Sequence, residues 1–386
     1  MLEIKNTVYI VGGDHHNGLG LARILGINGV RVVSLVIGDI KKSFLRKSRY
    51  IAACLVFGSE KEAFDYLAQQ KCELSKSIII PYSDTAALEL DKRLDEFKEK
   101  YYVPSINNTQ GEIVWLMDKQ NQYDFAISSG IKMAYTVTTM IQDQSHPELE
   151  KMPFPCIIKP VISAEGHKRD ITICNNKAEL DSVLIKYKEL GYYRALVQEY
   201  LTIDYEIDVF GCVLKQKPYI CQIPTRTIRS WLPQGGTNSY SQIIIEKSIL
   251  EECKKIIDAI KNRGFYGLYD IELFVVKGKI ILNEINLRNS GDVYMGINQQ
   301  YFYPYAWVCD LLGENIEISE NPSRPDYTMT ECADIRNVLS HNVSFRRWYS
   351  EYRKCKDYAL KLKGDMKPAR SRYFYYFKQF IKGKRL

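Results

Sequence analysis

A predicted β-hairpin carries oxygen-bearing side chains at positions that could bind a metal ion. The segments GLYDIELFVV and KIILNEIN read as two strands, joined by Lys277 and Gly278 at the two-residue spacing of a tight hairpin. Residues two apart in a strand share a face, so Glu284 and Asn286 point the same way and Glu272 can lie opposite them. Two carboxylates and an amide, with space for water and phosphate, suit Mg²⁺ better than a softer metal. The alternative is the solvent face of an ordinary amphipathic hairpin.

Arg288 follows on the same face if the second strand continues. A planar cation there could stabilise negative charge that develops on a phosphate. Ile285 and Leu287 alternate with the polar residues, and Asn286 is a poor strand former, which favours a site over a solvent face.

A lysine interrupts the apolar strand segment CIIKP. Lys159 in such a run is costly unless its ammonium reaches an anion, and phosphate is the natural one; the alternative is a lysine that snorkels at a strand end. Lys119, in MDKQNQYDF, is by itself typical of a surface helix. The loop VISAEGHK after Lys159 could fold over phosphates with its backbone N–H groups.

Two glutamates flank a predicted kink between the strands LVQEYL and YEIDVFGCVL. A nucleotide base could lie against Leu201 and bond its backbone, while Glu206 could accept from ribose hydroxyls. The alternative is that Glu199 and Glu206 are two surface glutamates.

The elements around these residues indicate an α/β region followed by an α+β region. In the first hundred residues, apolar strand segments alternate with helices, which predicts a mostly parallel sheet with right-handed crossovers. A helix over 84–100, capped by Ser83 or Asp84, is one of them. After a boundary at 101–111, the strands alternate with three predicted helices and include antiparallel neighbours, and the last seventy residues read as helical and then basic.

In this order and spacing, these segments resemble the ATP-grasp superfamily, specifically its carboxylate–amine ligase branch, from about Lys5 to Asn298. A D-aspartate ligase-like or carbamoyl-phosphate-synthase-like protein is the nearest subgroup. The resemblance implies a Rossmann-like pre-ATP-grasp domain followed by a two-subdomain ATP-grasp fold with mostly antiparallel sheets and a helical basic C-terminal tail. The implied domains are 1–110 (pre-ATP-grasp), 111–200 (small lid subdomain), 201–315 (central subdomain) and 316–386 (helical extension).

The resemblance also implies a role for each candidate residue. Glu272, Glu284 and Asn286 would bind magnesium or manganese, with two ions expected. Arg288 and Lys159 would be catalytic, and the residues implied in ATP binding are Lys119, Lys159, Gln198, Glu199, Leu201 and Glu206. The loop after Lys159 departs from the family pattern, since SAEGH replaces the usual Gly-Ser-rich run.

Two further segments are candidate substrate contacts. Arg226 and Arg229 precede a glycine loop that contains Gly235 and Gly236; in relatives this region faces the acceptor and the γ-phosphate, and a guanidinium suits a carboxylate. The turn GGDHHNGLG does not fit a dinucleotide fingerprint. The resemblance implies instead a loop that faces the substrate, where His15 or His16 could touch it. A solvated loop and a structural histidine are the alternatives.

Composition narrows the classes of protein. Ten cysteines without CxxC spacing argue against a zinc site or a disulfide framework, and the apolar segments are too short to span a membrane. We therefore expect a cytoplasmic protein. Residues 367–385 hold seven basic side chains and no acidic one, which accounts for the whole formal charge of +7 and argues against a nucleic-acid surface. The aromatic and basic stretch 370–385 predicts either peripheral contact with the inner face of the membrane or a helix packed on the body.

The resemblance implies an ATP-dependent ligase that activates a carboxylate as an acyl phosphate and couples it to an amine, forming ADP and phosphate. A cell-envelope or polysaccharide precursor is a candidate acceptor if the tail contacts a membrane. Two rivals remain open: a non-catalytic ATP-binding regulator or scaffold, and a kinase that phosphorylates a small molecule and stops there.

Overall fold

The computed structural model describes residues 4–381, except for 40–42, 72–74, 144, 161–170, 218–219, 233–235, 315 and 318. The predicted phosphate loop at 161–168, Gly235 and the last five residues of the tail lie outside this part of the chain. The chain divides into two compact units. The first unit comprises Met1–Val114, Ile207–Ile271 and Asn286–Leu386, and the second comprises Trp115–Glu206 and Glu272–Ile285.

The first unit begins with a parallel sheet of order β3-β2-β1-β4-β5, as the alternation of strands and helices predicts. Its strands are β1 (Val8–Gly13), β2 (Val32–Ile37), β3 (Ala53–Phe57), β4 (Ser77–Pro81) and β5 (Tyr101–Tyr102). Its helices are α1 (His16–Ile27), α2 (Glu60–Gln69), α3 (Asp84–Lys92) and α4 (Leu94–Phe97), with a 3₁₀ turn at Leu45–Lys47. The strands β1, β2 and β4 are almost wholly buried because helices cover the sheet.

The single helix predicted over 84–100 is instead two helices that break at Arg93. Ser83 caps α3 as expected, since its hydroxyl accepts from the N–H of Ala86. Arg93 leaves the helical conformation at φ −120° and ψ 19°, and its guanidinium bonds Asp65 and Glu96. Apolar periodicity predicted one helix, and it carries no information about a tertiary contact such as that with Asp65 of α2.

Three glycines of the turn at 12–20, Gly12, Gly18 and Gly20, allow close packing. A Cβ on Gly12 or Gly18 would lie 2.5 or 2.8 Å from the ring of Tyr82, and one on Gly20 would lie 2.6 Å from Val293. The Tyr82 hydroxyl donates to the carbonyl of Gly12 at 3.0 Å. These glycines are therefore required by close approach of buried side chains.

A second sheet runs β15-β14-β11-β12-β13-β16-β17, with β6 also paired to β14, and the boundary between the units falls inside β14 and β15. Its strands are β6 (Ser105–Ile106), β11 (Tyr205–Val213), β12 (Ile220–Trp231), β13 (Thr237–Ile243), β14 (Phe265–Val276), β15 (Lys279–Asn286), β16 (Tyr327–Met329) and β17 (Asp357–Tyr358). The predicted hairpin and the antiparallel pairing of β11 with β12 are confirmed. Lys277 and Gly278 form the hairpin turn with positive φ, 49° and 72°.

The second unit contains an antiparallel sheet of order β7-β10-β8-β9. Its elements are β7 (Thr136–Met140), β8 (Cys156–Pro160), β9 (Thr172–Cys174), β10 (Arg194–Glu199), α6 (Lys119–Ser128), α7 (Lys177–Glu189) and a 3₁₀ turn at Pro147–Leu149. A helix α5 (Glu112–Leu116) spans the boundary. Leu180, Leu184 and Tyr187 of α7 are buried and belong to the core of this sheet.

The remaining helices belong to the first unit. They are α8 (Lys247–Asn262), α9 (Tyr303–Leu311), α10 (Glu331–Leu339), α11 (Phe345–Lys354), α12 (Lys367–Ile381) and a 3₁₀ turn at Val293–Gly296. The tail predicted as helical forms α12, although two short strands, β16 and β17, precede it and extend the second sheet. Helix α12 packs on the body: the Tyr373 hydroxyl donates to Glu331 at 2.9 Å, and Arg372 lies over the Phe44 ring. None of the described helices is long and apolar enough to cross a membrane.

Candidate functional site

The second unit brings two lysines and two glutamates together, although they are far apart in sequence. Lys119 begins α6, Lys159 lies in β8, and Glu272 and Glu284 lie in β14 and β15. The ammonium of Lys119 is 3.3 Å from a carboxylate oxygen of Glu284. Lys159 is within electrostatic range of the other three. We call these four residues the lysine cluster.

The N-terminus of α6 is fixed to β15 by one buried amide. Asp118 caps the helix by accepting from two backbone N–H groups. Three residues after Lys119, on the same helix face, Gln122 donates to the carbonyl of Ile285 at 2.7 Å and accepts from its N–H at 3.0 Å. Because Ile285 adjoins Glu284, this clamp holds Lys119 beside that carboxylate.

Lys159 is half-buried, so water solvates its ammonium group only in part. Burial, and then repulsion by Lys119, lower the pKa of Lys159 to about 8, against the opposing pull of Glu284 and Glu272. A charge that is this poorly solvated is stabilised when an anion joins it. The cluster is therefore chemically suited to a phosphate.

In the first unit, Arg288 is fixed by two carboxylates. Strand β15 ends at Asn286, so Arg288 lies beyond the strand and strand alternation does not place it on the face of Glu284 and Asn286. Its Nε donates to Asp84 at 2.7 Å and its Nη1 donates to Asp270, while only 13% of the side chain is exposed. Burial alone would lower the pKa of Arg288, but Asp270 and Asp84 outweigh it and raise that pKa above its ordinary value. We call these three residues the arginine cluster.

Sequence reasoning missed the acidic residues around Arg288. The sequence could have indicated Asp270, because in YDIEL it stands two positions before Glu272 and residues two apart in a strand share a face. No local pattern could have indicated the contact of Asp84 with Arg288, because the two residues lie 204 positions apart. Asp292 is half-buried; desolvation, and then repulsion by Asp270, raise its pKa to about 7, while Asn238 and Arg288 lower it.

The predicted nucleotide-binding residues lie at the end of β10 and the start of β11, on either side of the predicted kink. Gln198 is 7% exposed and donates to the Thr136 hydroxyl at 2.9 Å, so its side chain serves the sheet. The backbone N–H of Glu199 donates to the Tyr135 carbonyl at 2.8 Å. Leu201 lies in the connection. Glu206 is half-buried, and burial raises its pKa.

The two arginines predicted as substrate contacts lie in β12, so they do not sit in a solvated loop. Arg229 donates twice to Asp334, both at 2.7 Å, and once to Glu351 at 2.9 Å. With Asp334 fully buried, this arginine ties β12 to α10 and α11. Arg226 is exposed on β12.

Gly236 and His15 both lie in the first unit. A Cβ on Gly236 would lie 1.7 Å from the carbonyl oxygen of Trp231, so the backbone itself requires glycine there. His15 caps α1, and its Nδ1 contacts the side-chain oxygen of Asn17. The rings of His15 and His16 lie 3.9 Å apart at the edge of a cavity of about 140 Å³.

Within the described residues, no group of three or more His, Cys, Asp or Glu side chains is placed to hold a metal ion. The predicted magnesium ligands are two carboxylates of the second unit, Glu272 and Glu284, and one amide of the first unit, Asn286, which is 4% exposed. Mg²⁺ is commonly bound by one or two carboxylates together with substrate phosphates and water, so this donor set fits it chemically.

Comparison with known proteins identifies one domain. Residues 125–300 match the ATP-grasp domain. The chain is 26% identical over 255 residues to the formate-dependent phosphoribosylglycinamide formyltransferase of Wolinella succinogenes, which covers 64% of this chain. The matched region spans 62% of that relative's length, less than two thirds of it.

Solved structures share the fold over most of the chain. The N5-carboxyaminoimidazole synthetase of Staphylococcus aureus complexed with ADP superposes with a TM-score of 0.67 at 17% identity, covering 88% of this chain and 87% of that one. The L-amino acid ligase of Bacillus licheniformis gives a TM-score of 0.61 at 14% identity, with 84% and 80% covered. At these identities the similarity speaks for the fold alone.

Proposed function

Because residues 125–300 match the ATP-grasp domain, we propose that this chain is an ATP-dependent carboxylate–amine ligase. A carboxylate oxygen attacks the γ-phosphorus of ATP, ADP leaves, and an acyl phosphate forms. An amine nitrogen then attacks the acyl carbon, phosphate leaves, and the nitrogen loses a proton to give the amide. No protein nucleophile is needed, because positioning and electrostatic stabilisation dominate phosphoryl transfer.

The lysine cluster is the observation that carries this proposal. Lys119 and Lys159 lie in the same neighbourhood as Glu272 and Glu284, and the pKa of Lys159 is lowered by burial and by Lys119. Two ammonium groups suit the α- and β-phosphates of ATP.

We assign the remaining roles from the same resemblance. Glu272, Glu284 and Asn286 would hold magnesium or manganese, which neutralises phosphate charge when bound. Arg288 is held ready by Asp84 and Asp270, and it would contact the transferred phosphoryl group. For the adenosine part, the residues are Gln198 and Glu199, the backbone of Leu201, and the Glu206 carboxylate towards the ribose.

Arg226, Gly236 and His15 stay proposed substrate contacts, together with Gly235. We propose a structural role for Arg229 instead, since its guanidinium is fully engaged by Asp334 and Glu351.

The acceptor is the least constrained part of the proposal. The relative and the two neighbours described above are named for phosphoribosylglycinamide, carboxyaminoimidazole and L-amino acids, not for a cell-envelope or polysaccharide precursor. Contact of residues 370–385 with a membrane stays a proposal: Phe374 and Phe377 are 58% and 59% exposed, whereas Arg372 and Tyr373 face the body. Co-sedimentation with anionic phospholipid vesicles would test the contact directly.

The test is ADP release with ATP and Mg²⁺ against amino acids of both enantiomers, small organic acids and amines, singly and in pairs, with hydroxylamine present in a parallel series. A hydroxamate together with ADP supports an acyl phosphate and hence a ligase. ADP with a phosphate ester and no hydroxamate would indicate a kinase instead. ATP binding with no turnover in any combination, including cell-envelope precursors, would favour a non-catalytic regulator.

A further inference from the structure

Two adjoining cavities lie in the first unit, and both are lined by residues of α10. The first, of about 140 Å³, is lined among others by His15, His16, Trp231, Arg336 and Arg372, and we call it the polar cavity. The second, of about 320 Å³, is lined among others by Glu331, Trp348, Tyr352 and Tyr373, and we call it the aromatic cavity. Both are also lined by Cys332, Arg336 and Tyr376.

The polar cavity contains positive charge that the surrounding protein barely neutralises. Within the described part of the chain, Arg336 forms no ion pair with a carboxylate, and its buried Nε has no hydrogen-bond partner. Its guanidinium lies 5.8 Å from the Trp231 ring and 5.2 Å from the Tyr376 ring, which fix its position. Arg372 is 3.9 Å from Asp14, at the limit of an ion pair. A buried donor without an acceptor is costly, and an anion in the cavity would supply one.

The aromatic cavity also contains a donor that has no partner among the described residues, the Nε1 of Trp348. Glu331 lines this cavity, but its carboxylate is already engaged. It accepts from the N–H groups of Leu360 and Lys361, each at 3.0 Å, and from the Tyr373 hydroxyl. The walls are otherwise mainly aromatic, so the space suits an apolar or aromatic group that carries a hydrogen-bond acceptor.

The polar cavity lies close to the arginine cluster within the same unit. Burial lowers the pKa of His15, and the charges of Arg372 and Arg288 lower it further, so His15 is in electrostatic range of both arginines. His15 also contacts the side chain of Asn17. A Cβ on Gly291, three residues after Arg288, would lie 3.0 Å from that side chain, so the cavity lies near the segment that carries Arg288, the proposed phosphoryl contact.

We propose that the two cavities together bind one ligand, an organic anion with an apolar or aromatic body, and that this ligand is a substrate of the ligase. Its carboxylate or phosphate monoester lies between Arg336 and Arg372, and its body lies beside Trp348. The binding site stands on its own geometry, whereas its assignment to a substrate rests on the proposed function.

Binding is tested on the full chain without ATP or Mg²⁺, by titration calorimetry with phenylacetate, phenyl phosphate, acetate and 2-phenylethanol. We expect the two aromatic anions to bind at least about tenfold more tightly than acetate or the neutral alcohol, because only they use both cavities. Whichever of phenylacetate and phenyl phosphate binds more tightly identifies whether the site prefers a carboxylate or a phosphate monoester. Equal binding of the alcohol, or no binding of either aromatic anion, would overturn the proposal.

Variants locate the site. Arg336→Gln should weaken aromatic-anion binding about tenfold or more, while Arg353→Gln, an exposed arginine of α11 outside both cavities, should leave it unchanged. Trp348→Phe keeps an aromatic ring but removes the indole N–H donor. This variant tests the site if Arg336→Gln does not fold. It should weaken binding of acceptor-bearing phenyl anions, such as 4-hydroxyphenylacetate, more than binding of phenylacetate. Unchanged binding in folded Arg336→Gln refutes the site.

The assignment to a substrate has a separate readout. Once a turnover pair is known, Arg336→Gln should raise the KM for one substrate about tenfold, with kcat and the KM for ATP little changed. If no pair releases ADP while Arg336-dependent binding persists, the ligase proposal fails and the anion site stands. If ADP is released with unchanged KM values in the variant, the ligase proposal stands and the substrate assignment falls.

Discussion

The lysine cluster of the second unit and the arginine cluster of the first use opposite arrangements of charge. In the lysine cluster, one of the two ammonium groups, that of Lys119, forms an ion pair of 3.3 Å with Glu284. The side chains of Lys119 and Glu284 are 28% and 26% exposed. In the arginine cluster, one guanidinium bonds two carboxylates and is 13% exposed. The pKa of Lys159 is lowered by its surroundings, whereas that of Arg288 is raised.

This difference teaches what each cation can do. A lysine is a flexible point charge whose proton affinity responds to its environment, so Lys159 gains most when an anion arrives. An arginine has a planar fork that its partners can orient in advance, so Arg288 loses little entropy when it meets a phosphoryl group. We infer that the lysine cluster supplies affinity for the nucleotide and the arginine cluster supplies orientation at the transferred group.

The sharpest way to break the lysine cluster is Glu284→Gln. If Glu284 holds magnesium, kcat for ADP release should fall roughly a hundred- to a thousandfold, a loss of the size seen when one electrostatic stabiliser is removed. Circular dichroism and the melting temperature should stay close to wild type. Glu189→Gln, an exposed glutamate at the end of α7, is the matched control and should keep full activity. A Glu284→Gln enzyme with normal kcat would remove the metal assignment.

Arg288→Lys tests the arginine cluster, because it keeps the charge and removes the fork. Lysine cannot bond Asp84 and Asp270 in the same geometry, so kcat should fall roughly ten- to a hundredfold while ATP binding measured by calorimetry changes little. A loss of ATP affinity with kcat preserved would instead place Arg288 in ground-state binding and reverse the division of labour between the clusters.

The pH dependence of nucleotide binding sharpens the contrast. Lys159 is protonated below a pKa of about 8 and loses its charge above it, because burial and Lys119 lower that pKa. Its protonated fraction drops about tenfold between pH 7 and pH 9, so the affinity for ADP should fall by about that factor. Arg288 stays charged over this range. Calorimetric Kd values for Lys159→Arg should be nearly flat from pH 7 to 9, and an equally steep wild-type and variant profile would contradict the assignment.

The smallest effect is expected at Glu206, which belongs to neither cluster. Glu206→Gln still offers an oxygen acceptor to a ribose hydroxyl, so the KM for ATP should rise only about three- to tenfold, with kcat unchanged. The comparison of ATP with 2′-deoxy-ATP is the control: the wild type should discriminate between them more than the variant. Identical discrimination would move Glu206 out of the nucleotide site.

Local pattern predicted the elements that carry the site well. The alternation in KIILNEIN and the two-residue turn before it gave the hairpin, and Ser83 gave the start of α3. These signals succeed because strand alternation, turn conformation and helix capping are decided by neighbours in sequence. The same kind of signal failed where a distant partner intervened. The predicted helix is interrupted at Arg93, whose guanidinium donates to Asp65 of a neighbouring helix.

The sequence alone indicated the hairpin, and it showed that Lys159 interrupts an apolar strand segment. Only the tertiary structure decided their partners: Gln122 holds the backbone of Ile285 from 163 residues away, and Asp84 reaches Arg288 across 204. The physical reason is that periodicity fixes the direction of a side chain, whereas packing of whole elements fixes what it meets. The cavity around Arg336 has the same origin, since its walls come from segments hundreds of residues apart.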